Sequence, residues 1–185
     1  LLFKSKGMYL IPRIVGVGTY VLLLIIVYYL IPKTKRWSIP LNIYTIALAL
    51  MGFFYVPMNG SDLTRIYPVL RLYAQYALDD PESWGVIMAS GTPIAALYYH
   101  VLGNLGDERW LPFVNACLTF MLCFSILKSI YKRKQVLKKD IALVLLFFMS
   151  RGLLMVTIAN IRTMLSIAIV AYCIYKILIE HKGSV

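Results

Sequence analysis

The chain has 185 residues, of which 61% are hydrophobic and 15% are charged, and its mean hydropathy is +0.76. A soluble domain of this size could not bury so much apolar surface, so the composition excludes that class and predicts an all-α, multi-pass transmembrane helical bundle. The net charge of +11 does not indicate a nucleic-acid partner, because the basic residues stand in short clusters between apolar runs. Three scattered cysteines and two isolated histidines predict neither a metal site nor any other cofactor.

Five apolar stretches are candidates for membrane spans, since about 20 residues of helix cross a bilayer core. They lie at about 8–31, 39–58, 110–130, 141–157 and 162–180. The last two belong to one long apolar run, which exceeds a single crossing and is therefore divided by a turn near 157–162. We treat residues 1–185 as a single integral membrane domain. Because the chain starts without Met and stops just after an apolar run, we expect it to be incomplete.

The positions of the basic clusters predict the topology. Clusters at 33–36 and 128–139 should both face the cytoplasm, which requires an even number of crossings between them. The region 59–109 then lies outside the cytoplasm. Within it, residues 84–106 are interrupted by glycine and proline, which predicts a re-entrant or protein-shielded segment and not a further span.

The first part of this extracytoplasmic region, residues 59–83, carries apolar residues at helical spacing. An Asn59-Gly60 turn precedes a helix start at Ser61 or Asp62, and Asp62 and Arg65 stand three residues apart on one face. An amphipathic helix that lies on the membrane surface or covers a cavity is therefore expected. On this stretch alone, the alternative is a solvated loop whose ion pair has little consequence.

The long apolar run contains three polar residues of interest. Arg151 lies about 16 Å from the cytoplasmic face by helix rise, and such an arginine either faces a wet cavity or extends its side chain to the membrane surface. Asn160 and Arg162 fall at the predicted turn. This turn places Arg162 on the same side of the membrane as Asp62.

Two short motifs resemble those of one membrane family. Pro57-x4-Asp62-Leu63-x-Arg65-x-Tyr67 resembles the Asp-Leu-x-Arg-x-Tyr signature of EpsG-type, Wzy-like polysaccharide polymerases. The segment Asn160-Ile-Arg162-Thr-Met-Leu-Ser166 resembles the Asn-x-Arg-x-x-Leu-Ala segment of the same family, in the same order. The resemblance covers most of the chain but only the N-terminal part of a family member. Members continue through further spans and often carry an arginine where 53–55 are aromatic here.

The resemblance implies a membrane glycosyltransferase of the bacterial cytoplasmic membrane. Such an enzyme polymerises undecaprenyl-pyrophosphate-linked oligosaccharide repeat units into capsular, exopolysaccharide or O-antigen chains on the outer face. Its partners would be the lipid-linked oligosaccharide, membrane lipids, a chain-length regulator and a flippase. Two other classes stay open from the residues alone: a transporter or flippase of an anionic lipid-linked glycan, and a non-catalytic membrane subunit.

The polymerase chemistry suggests roles for the polar residues. Arginines suit pyrophosphate oxygens, and a carboxylate could take the proton of the acceptor hydroxyl. The candidate catalytic residues are Asp62, Arg65 and Arg162, with Asp62 acting either as the base or as the carboxylate that orients Arg65. Candidates for substrate binding are Arg71, Arg151, Asn160, Tyr67 and Tyr73, the tyrosines by stacking on sugars or as interfacial anchors.

Overall fold

The computed structural model describes residues 10–55, 57, 61–77, 79–134, 137–150, 157 and 160–180, with the side chains of 10–15, 134, 148, 150, 179 and 180 left out. Over this part of the chain the regular structure is helical, without strands. The helices are α1 (Leu10–Lys33), α2 (Ser38–Phe53), α3 (Asp62–Tyr73), α4 (Pro81–Ala89), α5 (Pro93–Gly103), α6 (Trp110–Lys134), α7 (Lys138–Ser150) and α8 (Ile161–Tyr175), which continues as a π-helical turn, Lys176–Glu180.

Three helical segments are long and apolar enough to cross a membrane. They are Gly16–Lys33, Trp110–Arg133 and Ile161–Leu178. Helix α2 is apolar but shorter, at 16 residues. The coarse prediction, an all-helical chain with several helices able to cross a membrane, agrees with this fold, whereas the number of five crossings stays a prediction.

Helices α2 and α6 pack antiparallel along their length. Near the end of α2, a Cβ on Gly52 would lie 2.9 Å from the carbonyl oxygen of Pro112, so the two backbones are in close contact. Near the start of α2, Lys128 Nζ donates a 2.7 Å hydrogen bond to Asn42 Oδ1. We call the end of the bundle that holds Lys128 the inner end and the end that holds Pro112 the outer end.

The remaining long helices alternate in direction between these two ends. Lys138 Nζ donates to the carbonyl oxygen of Thr34 at 2.9 Å, so the basic clusters 33–36 and 128–139 meet at the inner end. Helix α7 then runs along α1, where the Tyr20 hydroxyl donates to the carbonyl oxygen of Met149. Helix α8 starts at the outer end. The alternation agrees with the direction of each predicted span.

Several predicted boundaries were wrong by a few residues. Helix α2 ends at Phe53 and not at 58, and α6 continues to Lys134. Helix α1 continues past the predicted end at 31 to Lys33, because Pro32 in its last turn removes only a single backbone hydrogen bond.

The predicted amphipathic segment 59–83 is not one helix. Helix α3 ends at Tyr73, and a new helix begins at Pro81. Proline suits this first helical position, and the Asp80 side chain accepts a 2.9 Å hydrogen bond from the backbone nitrogen of Glu82. The sequence 80–82 therefore starts a helix and does not continue one.

Helices α3, α4 and α5 lie at the outer end of the bundle. The apolar face of α3 is buried as its pattern predicted, through Leu63, Ile66, Tyr67, Leu70 and Tyr73. It packs directly on α5, because a Cβ on Gly103 would lie 2.7 Å from the carbonyl oxygen of Leu70. Helices α4 and α5 have 9 and 11 residues, so neither is longer than about 16 Å and neither crosses a bilayer core by itself.

Candidate functional site

The N-termini of α3 and α8 meet at the outer end of the bundle. Asp62 is the first residue of α3, and Arg162 is the second residue of α8. Arg162 Nη2 lies 3.4 Å from Asp62 Oδ1, although a hundred residues separate them in the chain. The structure therefore brings together one charged residue from each of the two motif segments.

The exposure of the two side chains shows what this ion pair can do. The Asp62 side chain is 18% exposed, whereas the Arg162 side chain is 59% exposed. A pair this open to solvent contributes about 0–1 kcal/mol to stability. The more important effect of the ion pair is to orient Arg162. The Asp62 carboxylate contacts one nitrogen of the guanidinium, and most of the arginine side chain stays exposed.

Arg65 lies on the same face of α3, one turn after Asp62. Its side chain is exposed, and it forms no ion pair with any residue in the described part of the chain. The expectation that Asp62 orients Arg65 is therefore corrected: the partner of Asp62 is Arg162. The start of α8, which packs against α6, supplies this partner, and spacing within α3 could not reveal it.

Tyr99 of α5 lies within electrostatic range of the ion pair and was missed by the sequence analysis. Its residue is 8% exposed, and burial raises the pKa of its hydroxyl. The positive charge of Arg162 opposes this rise in pKa and the negative charge of Asp62 adds to it, so both charges act on Tyr99. The hydroxyl is therefore neutral at physiological pH. The sequence around Tyr99 contains no signal beyond helical spacing.

A second charged group lies where α3 faces the segment before α6. Arg71 makes a two-pronged contact with Glu108, with Nε 2.8 Å from Oε2 and Nη2 3.0 Å from Oε1. This hydrogen bonding and the charge of Glu108 raise the pKa of the Arg71 guanidinium. The two residues line a cavity of about 380 Å³ together with Leu70, Ala74, Gly103, Gly106, Asp107 and Arg109.

Arg109 also lines this cavity. Its Nη2 lies 2.6 Å from Asp107 Oδ2, and its guanidinium carbon lies 4.8 Å from the centroid of the Phe53 ring. The hydrogen bonds from Arg109 lower the pKa of the Asp107 carboxyl group. The charged triplet 107–109 before an apolar span could have indicated this group, but nothing local indicated that Glu108 would bind Arg71.

Two predicted substrate-binding residues are buried. Tyr67 and Tyr73 are 8% and 7% exposed, and the Tyr73 ring packs edge-on against His100 at a centroid distance of 5.9 Å. Burial is the main reason that the pKa of Tyr67 is raised to about 12, and its hydroxyl has no hydrogen-bond partner in the described structure. These rings present no open face to a sugar, so the stacking prediction is not supported.

Of the two remaining predicted residues, Asn160 lies at the site and Arg151 falls outside the described residues. Asn160 is exposed at the N-cap position of α8, where its carbonyl oxygen accepts a 3.1 Å hydrogen bond from the backbone nitrogen of Met164. Its side chain makes no capping hydrogen bond. Within the described part of the chain, no group of three or more His, Cys, Asp and Glu side chains is arranged to hold a metal ion.

Comparisons of the chain with protein-family models, curated proteins and solved structures find no match. Inference about function therefore rests on the motif residues and on their arrangement. An exposed arginine fork held by a carboxylate, with a second exposed arginine on the same face, is suited to binding phosphate or pyrophosphate oxygens.

Proposed function

We propose that this chain belongs to a membrane glycosyltransferase that polymerises undecaprenyl-pyrophosphate-linked oligosaccharide repeat units. The observation that carries the proposal is the ion pair between Asp62 and Arg162. Each residue comes from one of the two segments that resemble polymerase motifs. A non-catalytic membrane subunit would not require these two segments to meet at an exposed arginine that a carboxylate orients.

The proposed reaction transfers the growing glycan to the next repeat unit. A hydroxyl oxygen of the acceptor sugar attacks the anomeric carbon of the growing chain, and the bond from that carbon to the pyrophosphate oxygen breaks. The acceptor hydroxyl gives its proton to a general base or to water, and undecaprenyl pyrophosphate leaves with the bonding electron pair. The leaving group thus gains negative charge, which positive groups at the site must offset.

Arg162 and Arg65 are assigned to the pyrophosphate. Both side chains are exposed at the outer end of the bundle, where a lipid headgroup could reach them. Asp62 is assigned to the positioning of Arg162, because it already contacts that guanidinium. Asn160, next to the α8 N-terminus, is exposed and close in sequence to Arg162, which suits a supporting contact with substrate.

The cavity beside Arg71 is proposed to receive sugar hydroxyl groups. Its charged side chains offer both donors and acceptors, and the Arg71 side chain is 70% exposed despite its contact with Glu108. The volume of about 380 Å³ lies within the usual range for small-molecule sites. We do not assign Tyr67 and Tyr73 to sugar binding, because both are buried.

The proposed membrane arrangement has five crossings, through α1, α2, α6, α7 and α8. The inner end carries the two basic clusters and would face the cytoplasm by the positive-inside rule. The ion pair at the outer end would then face the outside of a bacterial cytoplasmic membrane. This is the side on which flipped, lipid-linked repeat units are found.

The test uses a strain whose only copy of the gene carries Arg162→Ala. We expect single lipid-linked repeat units to accumulate on the outer leaflet while long glycan is lost. The matched control is Arg36→Ala, an exposed arginine at the inner end, which should leave long glycan unchanged. A transporter of the same lipid predicts that repeat units stay on the inner leaflet, and this result would exclude the polymerase.

A further inference from the structure

A second polar cleft lies at the inner end of the bundle, between α6 and the end of α8. Its volume is about 390 Å³. The lining residues are Ser125, Lys128, Ser129, Lys132, Arg133, Tyr172, Tyr175 and Lys176. None of them belongs to the site at the outer end, so the cleft requires an explanation of its own.

The charge of this cleft has a single sign. Four of the eight lining residues are basic, and none is acidic. Lys128 is held in place by its 2.7 Å hydrogen bond to Asn42, and Lys176 Nζ lies 5.6 Å from the centroid of the Tyr172 ring. Several cations that converge on one concave surface favour an anion that carries more than one oxygen acceptor.

Tyr175 provides an independent sign of a ligand. The residue is only 7% exposed, and its buried hydroxyl finds no hydrogen-bond partner among the described residues. A buried hydroxyl without a partner is costly, and most such groups in proteins are paired. Because Tyr175 lines the cleft, a bound oxygen atom there would satisfy this group.

The surroundings of the cleft indicate that the anion is part of an amphiphile. On α6, Met121 lies one turn from Ser125 toward the outer end, and its side chain is 54% exposed. On α8, Ile169 lies nearly one turn from Tyr172 in the same direction and is 46% exposed. Exposed apolar side chains thus continue from both walls of a basic cleft, a combination that suits a headgroup with attached acyl chains.

We propose that this cleft binds the phosphate group of an anionic membrane lipid, with the acyl chains lying along the apolar faces of α6 and α8. Basic clefts between membrane helices on the cytoplasmic side are suited to such headgroups. The lipid would fasten the end of α8 to α6. The proposal uses none of the polymerase residues, so it can fail or hold independently of the proposed function.

The test is a lipid titration of the detergent-solubilised protein, read by native mass spectrometry. Wild-type protein should retain phosphatidylglycerol in preference to phosphatidylcholine. Lys132→Ala should weaken the binding of phosphatidylglycerol about fivefold. Lys139→Ala is the matched control, because Lys139 is an exposed lysine of the same basic cluster that does not line the cleft. It should change the binding less than twofold.

Tyr175→Phe distinguishes a specific contact with the lipid headgroup from nonspecific attraction of the lipid to positive charge. The substitution removes one hydroxyl without changing charge, and the loss of an unpartnered group should not impair folding. If the hydroxyl contacts the headgroup, binding of phosphatidylglycerol should weaken about twofold to tenfold. Unchanged binding in this variant would overturn the proposed contact and the site built on it.

Two further outcomes would also overturn the proposal. Equal losses in Lys132→Ala and Lys139→Ala would show that only the overall charge of the inner end attracts the lipid. Displacement of phosphatidylglycerol by an equal concentration of inorganic phosphate would show that the cleft takes a soluble anion. Retention of the lipid against inorganic phosphate, together with the expected difference between the two lysines, supports the assignment to a lipid.

Discussion

Arg162 and Asp62 allow a double-mutant cycle that separates positioning from acid–base chemistry. The variants are Arg162→Gln, Asp62→Asn and the combination of the two. Arg162 Nη2 lies 3.4 Å from Asp62 Oδ1, and the arginine side chain is 59% exposed. In surroundings close to water, two unit charges at this distance attract each other by about 1 kcal/mol. The pair should therefore contribute less than about 1 kcal/mol to stability.

The expected effect on the rate is larger than the effect on stability. Arg162→Gln would remove the proposed charge-assisted contact with the pyrophosphate, worth about 1.5–3 kcal/mol, so the rate should fall about tenfold to a hundredfold. If Asp62 acts only through Arg162, Asp62→Asn should cost less than this. The double variant should then be no slower than Arg162→Gln alone, because the oriented group has already been removed.

The assay is the rate of long-glycan formation in isolated membranes supplied with lipid-linked repeat units. Arg36→Gln serves as the matched control, because Arg36 is an exposed arginine at the inner end, outside both proposed sites. Thermal unfolding of each variant in detergent checks that folding is retained. Arg162→Gln with a rate within twofold of wild type would refute the phosphate assignment. If Asp62 were the base, Asp62→Asn alone should cost about a hundredfold to ten-thousandfold, and the two losses should multiply.

Three further predictions concern the packing, the pH dependence and the topology of the chain. Gly103→Ala should lower the free energy of unfolding by about 1–3 kcal/mol, because the new Cβ would lie 2.7 Å from a backbone oxygen. The control is Gly85→Ala, whose Cβ would have no atom within 4 Å and which should be neutral or stabilising in the same unfolding assay. Burial raises the pKa of Tyr67 to about 12 in the folded state, so the unfolded chain ionises this tyrosine at a lower pH than the folded protein does. The stability that comes from the neutral hydroxyl is therefore complete below pH 10 and is lost as the pH rises toward 12. Tyr67→Phe should therefore lose less stability than wild type between pH 10 and 12, and an equal loss would contradict the assignment. In a background without native cysteines, Glu82→Cys should react with a membrane-impermeant thiol reagent in intact cells, whereas Lys139→Cys should not. Labelling of Lys139→Cys alone would show that the inner end of the bundle faces the outside of the cell.

Local patterns predicted the features that depend on one segment at a time. Helical spacing in α3 predicted the buried face that includes Leu63, Ile66 and Leu70, because the side chains of one helical face recur every three or four residues. The basic clusters predicted which loops would meet at one end, and the contact between Lys138 and Thr34 agrees with that expectation. The predicted turn near 157–162 placed Arg162 on the same side as Asp62, and the ion pair between the two residues agrees with that placement.

The partners of these residues depended on packing between distant segments. Local spacing favoured Arg65 as the partner of Asp62, whereas α8 brings Arg162 to that carboxylate. The pairing of Arg71 with Glu108 likewise joins α3 to the segment before α6. Which charged residues form an ion pair depends on which of them the packed helices bring close together. Their separation along the sequence does not predict this.

By itself, the sequence determined that this protein is helical, that several of its helices are apolar enough to cross a membrane, and which ends of its helices carry positive charge. These properties follow from hydropathy and periodicity, which act over a few helical turns. The tertiary structure alone decided that Tyr67 is buried, that the charges of the ion pair act on Tyr99 and that Tyr175 lines a basic cleft. An amphipathic tyrosine is equally compatible with an interface, a core or a site, and only the neighbouring helices decide which surface it meets.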